Sequence, residues 1–396
     1  MPDPVPRFAR RMADIAPFRV MELLARAREL ETQGRDIIHM EVGEPDFPTP
    51  QPVIDAATRF IASGKVHYTP AAGLPELREA IARHYHDRFD TDVEPERIIV
   101  TPGASGALML ILAASTNPGD GWLLPDPGYP CNRHMVRSFE GIPQAIPVDA
   151  STRFQPTAAQ LAAHWQPNTL GLIVATPSNP TGTLLDEIEL SVLHHATSGR
   201  DGLLVVDEIY QGLNYGVAPR TVLADPACNT SDRLFVVNSF SKYFGMTGWR
   251  LGWLVAPRCW VGEIEKLAQH FFISAPTASQ YAALAAFAPA TRDILESRRA
   301  AFGERRDTLL PALRSLGLRV DAEPHGAFYI YADVSAVADD SQLLARRLIE
   351  EAGVATTPGL DFGDNRPQQH LRLAYTTRNE RLLEATERMQ RLLRQA

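Results

Sequence analysis

The sequence predicts an α/β protein with a large domain built on a mostly parallel sheet and a smaller α+β domain. Between residues 50 and 276, short β-rich runs alternate with helical patterns, the order expected of strands joined by right-handed helical crossovers. Several runs are continuously apolar, which is typical of strands covered on both faces by helices. After Pro276 long helical patterns dominate. A length of 396 residues also exceeds one ordinary core, so we expect two domains.

The first 49 residues supply an arm and one part of the small domain. Residues 1–17 are rich in proline and arginine, and we predict an extended N-terminal arm. A helical stripe follows and ends near Gly34; it contains Met21, Leu24, Ala27 and Leu30. A short strand at 37–42 then runs into the turn Gly43-Glu-Pro-Asp-Phe47. We assign residues 18–49 to the small domain.

Residues 50–276 form the predicted large domain, which contains seven β-rich runs. The predicted strands span 97–101, 122–125, 144–148, 170–175, 203–207, 234–238 and 252–256. Beyond them, helical patterns at 278–288 and 292–316 precede strands near 327–331 and 370–375 and a terminal helix. We therefore assign residues 277–396 to the small domain, together with 18–49.

Composition excludes several classes of protein. A net charge of −8, without a block dense in lysine and arginine, argues against a nucleic-acid partner. The longest apolar run, near 107–114, is too short to cross a membrane, and no apolar region follows the arginines of the arm as a signal peptide requires. The three cysteines are far apart, so neither a disulfide framework nor a paired metal site is expected. These features predict a cytoplasmic protein without membrane partners.

The chemically informative motifs follow the predicted strands, where open parallel sheets bind ligands. Lys242 lies in the run Ser239-Phe-Ser-Lys-Tyr-Phe-Gly-Met-Thr-Gly-Trp-Arg250. Its hydroxyls and guanidinium can hold a phosphate, and its amine can condense with a carbonyl as a Schiff base. An ordinary surface lysine is the alternative. The turn 102–106 opens a helix with free backbone N–H groups, a second feature that binds phosphate.

Three other strand ends carry candidate residues. Asp207 and Tyr210 follow the strand at 203–207, where a buried acid can pair with a protonated heteroaromatic nitrogen and make a pyridoxal ring an electron sink. Asn179 and Tyr129 lie in proline-containing turns, which are also ordinary turn chemistry. Arg372 interrupts an apolar strand pattern, and binding of a carboxylate or an internal salt bridge would explain it equally well.

Together these motifs resemble the fold-type I, class I/II aminotransferases that use pyridoxal 5′-phosphate. The resemblance covers nearly the whole chain and extends in order from Gly43-Glu-Pro-Asp-Phe47 through Asn179-Pro-Thr-Gly182, Asp207-x-x-Tyr210 and Ser239-x-x-Lys242…Arg250 to Arg372. It implies transfer of the amino group of an L-amino acid to a 2-oxo acid, 2-oxoglutarate or pyruvate, through a Schiff base on Lys242.

The resemblance also implies a role for each matching residue. Lys242 would carry the cofactor and move the proton, Asp207 would face the pyridine nitrogen, and Tyr210 and Asn179 would bond the ring oxygen O3′. Tyr129 would stack on the ring. The phosphate would be held by Ser239, Arg250 and the backbone of Gly103, Ala104 and Ser105. The substrate carboxylate would bind Arg372, with Asn179 and the Gly43 backbone nearby. Tyr68 would reach the partner's phosphate in a homodimer with shared active sites.

Alternative functions remain at this point. A pyridoxal-phosphate-dependent C–S lyase, or a related lyase or synthase, would use the same fold and residues. A ligand-sensing module of a transcription regulator would need an N-terminal helix-turn-helix domain, for which about 35 residues are too few. An ATPase would need a GxxxxGK[ST] loop, which the sequence lacks.

The preferred amino donor is also open. Aspartate-specific members of the similar subgroup carry a lysine where this chain has Ser105, which argues against a dicarboxylic donor. Phe18 would favour an apolar or aromatic side chain and Arg19 an acidic one. The histidine pairs His84/His86 and His194/His195 lie in helical patterns without convergent acids or cysteines, so we interpret them as surface residues of helices and expect no metal.

Overall fold

The computed structural model describes residues 7–394 of the chain. Several of its α-helices begin at a proline or a polar cap; α7, for example, starts with a capping box formed by Asp186 and Glu189. The helices are α1 (Arg19–Thr32), α2 (Gln51–Ala62), α3 (Pro75–Phe89), α4 (Gly103–Ser115), α5 (Pro130–Ser138), α6 (Ala158–His164), α7 (Glu187–Ser198), α8 (Pro226–Asn229), α9 (Val261–Phe271), α10 (Thr277–Leu284), α11 (Pro289–Ser315), α12 (Ser341–Arg347) and α13 (Asn379–Leu393).

The strands are short and mostly buried. They are β1 (Ile38–His39), β2 (Ile98–Thr101), β3 (Gly121–Asp126), β4 (Ile142–Pro147), β5 (Thr169–Ala175), β6 (Leu203–Asp207), β7 (Leu234–Ser239), β8 (Gly252–Val255), β9 (Tyr329–Asp333), β10 (Val354–Ala355), β11 (Thr357–Pro358) and β12 (His370–Ala374).

A seven-stranded sheet forms the centre of the molecule, in the order β2-β8-β7-β6-β5-β3-β4. Its strands run parallel except β8, which is antiparallel to both neighbours. Every residue of β6 is buried, because helices cover both faces of the sheet. The predicted α/β fold and its seven central strands are thus confirmed. The parallel arrangement brings the ends of β5, β6 and β7 to one edge.

The remaining strands form two small sheets. Strands β11, β12 and β9 make an antiparallel sheet, and β1 pairs with β10 in parallel. Helix α11 is 27 residues long and packs against α2 as well as against α13. The predicted boundary at residue 277 stays a prediction. Contacts of α10 with α2 and α3 favour a later division, within α11.

Residues 1–6 of the predicted arm lie outside the described residues. The rest of the arm contains a 3-10 helix, Arg10–Asp14, with no buried residue. It lies along α5, where Arg137 forms an ion pair with Asp14.

The histidine pairs differ from the prediction in one respect. His86 and His195 are exposed, whereas His84 is half-buried among aromatic rings and His194 is buried and hydrogen-bonded to Ser231 Oγ at 2.8 Å. Helical periodicity could not show this, because the covering residues come from distant segments. Among residues 7–394, no helix is long and apolar enough to cross a membrane.

Candidate active site

A cavity of about 610 Å³ opens at the carboxyl edge of the central sheet. Its polar lining comes from the ends of β5 and β6, from the turns that follow β3 and β7, and from β12. Eight residues predicted from the sequence line it: Gly43, Tyr129, Asn179, Asp207, Tyr210, Lys242, Arg250 and Arg372. The fold therefore brings together side chains that are up to 329 positions apart, from residue 43 to residue 372.

Lys242 lies at the base of this cavity, three residues after β7 ends. Its Nζ donates to the carbonyl of Gly43 at 2.7 Å. Burial is the main cause that lowers the pKa of Lys242 to about 8; the guanidinium groups of Arg372 and Arg250 act in the same direction, and the carboxylates of Glu44 and Asp207 oppose them. A substantial fraction of the amine is consequently neutral near pH 7.5, and only the neutral amine can attack a carbonyl carbon or accept a proton.

Asp207 ends β6 and is 4% exposed. Its Oδ1 accepts from the backbone N–H of Ile209 at 3.1 Å. Burial raises the pKa of this carboxyl to about 7, although the Ile209 N–H and the positive charge of Lys242 act against the rise. A cationic partner placed beside Asp207 would restore the ionised form.

Tyr210 lines the cavity just beyond Asp207. Its hydroxyl shares a hydrogen bond of 2.8 Å with the hydroxyl of Tyr329, at the start of β9. Tyr329 also restricts position 43, since a Cβ added to Gly43 would overlap the Tyr329 hydroxyl. Only glycine therefore leaves the Gly43 carbonyl free to approach Lys242.

Arg372 lies in the middle of β12 and is 2% exposed. Its Nη1 donates to Asn179 Oδ1 at 2.9 Å, while Nη2 donates to the Glu41 carbonyl and to Thr357 Oγ1. The guanidinium plane packs over the rings of Tyr329 and Phe362, at 4.5 Å and 4.8 Å. All of these acceptors are uncharged. Within residues 7–394 no internal salt bridge engages Arg372, so its positive charge can bind a carboxylate from outside.

The turn after β7 and the start of α4 form a second polar region, which we call the phosphate cup. It contains Ser239, Ser241, Arg250 and the first turn of α4. Ser239 Oγ lies 2.9 Å from Ser241 Oγ and 3.0 Å from the Ser241 N–H. Arg250 has left-handed backbone dihedrals (φ 50°) and donates to the Thr247 carbonyl at 3.1 Å.

Two glycines let the walls of the phosphate cup approach each other. A Cβ on Gly103 (φ 71°) would lie 2.7 Å from Arg250 Nη2, and one on Gly252 would lie 2.8 Å from the Ala104 nitrogen. The guanidinium thus lies beside the N-terminus of α4, where Gly103, Ala104 and Ser105 present backbone N–H groups. A cation beside a helix N-terminus is a suitable site for a phosphate dianion.

Tyr129 is fixed by contacts from the C-terminal part of the chain. It follows Asp126, whose carboxylate accepts from the backbone N–H groups of Asp364 at 2.9 Å and Asn365 at 3.3 Å. A Cβ on Gly363 would overlap that carboxylate. Phe18 meets the Tyr129 ring edge-on, with centroids 6.4 Å apart. The turn that precedes Tyr129 is therefore tied to residues 363–365, and the Tyr129 ring itself packs against Phe18.

Some predicted residues lie away from the cavity lining. Gly103, Ala104, Ser105 and Ser239 belong to the adjoining phosphate cup, and Tyr68 is 78% exposed on the surface of the chain. Phe18 lines the cavity, whereas Arg19 lines a separate groove beside α12. Three residues escaped sequence reasoning: Ser241, Tyr329 and Ile209. The hydroxyl of Ser241 and its position in the lysine run were available signals, but nothing in the sequence indicated that Tyr329 lies beside Tyr210.

The arrangement fits the cofactor that the resemblance implies. It combines an amine of lowered pKa, a buried acid and a cationic phosphate cup around one cavity. By contrast, residues 7–394 contain no cluster of histidine, cysteine and acidic side chains that could hold a metal ion.

Comparisons with known proteins agree with this geometry. A profile of the family described as "Aminotransferase class I and II" matches residues 35–389. A valine–pyruvate aminotransferase of Mycobacterium tuberculosis is 38% identical over 377 residues, covering 95% of this chain and 96% of the relative. An aspartate/prephenate aminotransferase of Thermus thermophilus is 36% identical and covers 98% and 99% of the two chains. The crystal structure of an aminotransferase from Mycobacterium tuberculosis superposes with a TM-score of 0.94 at 37% identity, covering 99% of this chain and 100% of the other.

Proposed function

The chain belongs to the class I and II aminotransferases, and we propose that Lys242 is the residue through which it moves an amino group from an L-amino acid to a 2-oxo acid. The observation that carries this proposal is the convergence of Lys242, Asp207 and Arg372 on one cavity. Each supplies a function that the reaction needs: a nucleophile and base, an acid for a cationic ring, and a cation for the substrate carboxylate.

Pyridoxal 5′-phosphate is the proposed cofactor, since the family depends on it. When bound, it supplies an electron sink for the negative charge that develops at the substrate Cα. Ser239, Arg250 and the first turn of α4 would hold its phosphate, and Lys242 would bind it covalently. Tyr129 and Ile209 would cover its ring, while Asn179 and Tyr210 would bond its O3′.

Lys242 then has two duties in the reaction. It would hold the cofactor covalently until a substrate amine binds, and its freed amine would then accept the proton from the substrate Cα. The pKa of about 8 lies close to neutral pH, where a residue can both accept and return a proton efficiently. The Gly43 carbonyl, 2.7 Å from Nζ, keeps the amine at the cavity wall between these transfers.

Asp207 would act on the cofactor ring and Arg372 on the substrate carboxylate. A protonated ring nitrogen beside Asp207 would keep that carboxyl ionised despite its burial. Arg372 would bind the substrate α-carboxylate with its planar guanidinium, which Asn179 and the Glu41 carbonyl hold in place. Both amino acids and 2-oxo acids carry this carboxylate, so one arginine serves donor and acceptor. We propose 2-oxoglutarate or pyruvate as the acceptor; one relative is named a valine–pyruvate aminotransferase, which supports pyruvate.

We further propose a homodimer in which Tyr68 completes the phosphate cup of the partner. Apolar side chains are exposed along residues 61–68 and 271–273, among them Ile61, Val66 and Ile273 at 50–55%. Thr277 Oγ1 donates to the His67 carbonyl at 2.7 Å and ties the first segment to the start of α10. An apolar surface of this kind is typical of a protein contact. We also propose a cytoplasmic location, which the free thiols of all three cysteines support.

An amino-donor screen tests the activity. Purified protein reconstituted with pyridoxal 5′-phosphate is incubated with single amino acids and either pyruvate or 2-oxoglutarate, and both products are quantified. We expect an acceptor-dependent 2-oxo acid and no free ammonia, together with a change in cofactor absorbance. Release of ammonia without an acceptor would instead identify a lyase. Failure of pyridoxal 5′-phosphate to bind would contradict the proposed site.

Mixing two inactive variants tests the shared site. A hybrid of a Lys242→Ala protomer and a Tyr68→Ala protomer would contain one intact site and one site that carries both substitutions. Random pairing makes about half of the dimers hybrids, so the mixture should recover about a quarter of the wild-type activity. If each site is built from one chain alone, mixing restores nothing.

A further inference from the structure

Tyr243 follows the proposed cofactor lysine but has no place in the reaction described above. Its ring is 5% exposed, and its hydroxyl donates to Glu296 Oε1 at 2.6 Å. Arg88 Nη1 donates to the same Oε1 at 2.9 Å and to the Tyr243 hydroxyl at 3.2 Å. We propose that Tyr243, Glu296 and Arg88 form a positioning cluster that fixes the turn carrying Lys242, so that Nζ stays aligned with the reacting atoms. The proposal rests on the assignment of Lys242 as the base.

The cluster joins three separate parts of the fold. Arg88 lies on α3 and Glu296 on α11, whereas Tyr243 belongs to the turn after β7. The Arg88 guanidinium also packs over the Tyr243 ring, 4.6 Å from its centroid. Tyr243 thus links the lysine turn to two helices through its hydroxyl and its ring, and Phe244 of the same turn packs beside His84 of α3.

The cluster also contacts the turn that carries Tyr210, a residue of the cavity lining. Gly212 follows Tyr210 by two residues and has a φ of 98°. A Cβ on Gly212 would lie 2.7 Å from Tyr243 Cγ, so the ring is pressed against this backbone. Arg299, which donates to Glu296 Oε2 at 2.6 Å, also donates to the carbonyl of Asn214 at 3.2 Å. The turns that carry Lys242 and Tyr210 are therefore held against the same carboxylate.

The charges around Glu296 keep the side chains of the cluster in one protonation state. Burial alone would raise the pKa of Glu296, but hydrogen bonds from Tyr243, Arg299 and Arg88 outweigh it and hold that pKa below its ordinary value. Burial raises the pKa of the Tyr243 hydroxyl, so this group stays protonated and donates. The neighbouring His84 has a pKa of about 3, lowered by burial, Arg88 and Arg292, so it stays neutral.

Packing of the tyrosine ring does not require this hydroxyl. A phenylalanine at position 243 would fill the same space between Gly212 and Arg88, whereas only a hydroxyl can donate to Glu296. This difference makes Tyr243→Phe the informative variant. Glu296→Gln keeps an acceptor oxygen but removes the charge. Glu304→Gln removes an exposed acid from the same helix, where no side-chain hydrogen bond depends on it, and serves as the control.

The kinetic test compares these variants with wild type in the reconstituted enzyme. Misplacement by about 1 Å can lower a rate up to about 10²-fold, so we expect Tyr243→Phe to lower kcat about 10- to 100-fold. The KM of the donor should change less than about twofold, because Arg372 is not part of the cluster. Glu296→Gln should retain more activity than Glu296→Ala, and Glu304→Gln should match wild type. A kcat of Tyr243→Phe equal to that of wild type would overturn the proposal.

Hydrogen exchange provides a readout that does not depend on activity. In the holoenzyme, amides of residues 239–248 should exchange about tenfold faster in Tyr243→Phe, while those of β6 should be unchanged. Faster exchange throughout the central sheet, with an equal fall in Tm, would show a general structural role and reject the cluster. If wild type does not transaminate at all, the proposed function fails, and the exchange comparison alone then decides whether the cluster fixes the turn.

Discussion

Substitution of Arg372 by lysine is the sharpest test of the substrate site. The guanidinium uses Nη1 toward Asn179 and Nη2 toward the Glu41 carbonyl and Thr357, and it packs between the rings of Tyr329 and Phe362. A lysine keeps the positive charge but offers one ammonium in place of this planar fork. Arg372→Lys therefore removes bidentate geometry without removing charge.

The expected loss follows from the contacts. A hydrogen bond to a charged group is worth about 1.5–3 kcal/mol. Losing one of two bonds to a substrate carboxylate should therefore lower kcat/KM roughly 10- to 150-fold. The effect should fall on every substrate that carries an α-carboxylate, including the 2-oxo acid acceptor. A primary amine with the same side chain and no carboxylate should lose much less.

The assay is kcat/KM for an amino acid and for its matching amine in both proteins. Arg305→Lys is the control, because Arg305 is buried like Arg372 (5% against 2% exposed) but forms a bidentate pair with Asp46, at 2.7 and 2.9 Å. It should lower Tm without changing the preference for the carboxylate. If Arg372→Lys retains kcat/KM within about threefold of wild type, or if amine and amino acid lose equally, Arg372 does not bind the carboxylate.

Three further predictions concern the same residues and their surroundings. Lys242→Ala should lose at least about 10²–10⁴-fold in turnover yet still retain pyridoxal 5′-phosphate through Ser239 and Arg250, as measured by absorbance after gel filtration; an active variant would refute the assignment. Gly43→Ala should lower the activity and the Tm, and should reduce the free energy of unfolding by about 1–3 kcal/mol. Gly248→Ala should change neither the activity nor the Tm, because a Cβ at that position would have no atom within 4 Å. His39 bonds Glu41 at 2.7 Å and Glu31 at 3.1 Å, and its pKa is raised to about 9, chiefly by Glu41. Because the pKa of His39 in the folded protein exceeds its unfolded value near 6.5, this stabilisation is complete below pH 6.5 and is lost as the pH rises through 9. At pH 6 the free energies of unfolding of wild type and His39→Gln should differ by about 1–2 kcal/mol after allowance for solvent screening. The Tm values of the two proteins should converge above pH 9. A constant difference from pH 6 to pH 10 would refute this origin.

The sequence identified the central strands because their apolar runs are continuous. The strand at 203–207 has the bounds predicted for it, and all of its residues are buried. At the edge of the sheet, β4 begins at Ile142, two residues before the predicted start. Pro143 interrupts the run of strand-forming residues there, a position that is tolerated because this strand lies at the edge. The predicted strand at 37–42 shrinks to Ile38–His39, because the chain then passes from β10 toward β12, where Met40 accepts from the N–H of Ala374.

Site residues were predictable where one local motif carried them. Lys242, Asp207 and Asn179 each follow a buried strand, so the parallel topology alone brings them to one edge. Arg372 left two interpretations open. Its hydrogen-bond acceptors within residues 7–394 are carbonyl, amide and hydroxyl oxygens, which argues against the internal salt bridge, while binding of a carboxylate stays a prediction. The pairing of Tyr210 with Tyr329, 119 residues apart, depends on tertiary contacts that no local pattern encodes.

The anchoring of Tyr129 has a consequence for the order in which the protein is made. Asp126 receives hydrogen bonds from residues 364 and 365, and Arg372, the proposed carboxylate-binding residue, follows them in the chain. A ribosome that has translated the first 360 codons has already produced Lys242 and the whole central sheet. Arg372 and the residues that anchor the turn of Tyr129 are still missing from that nascent chain. Under the proposed function, the chain therefore carries its reactive amine before it carries the arginine that would select substrates with a carboxylate.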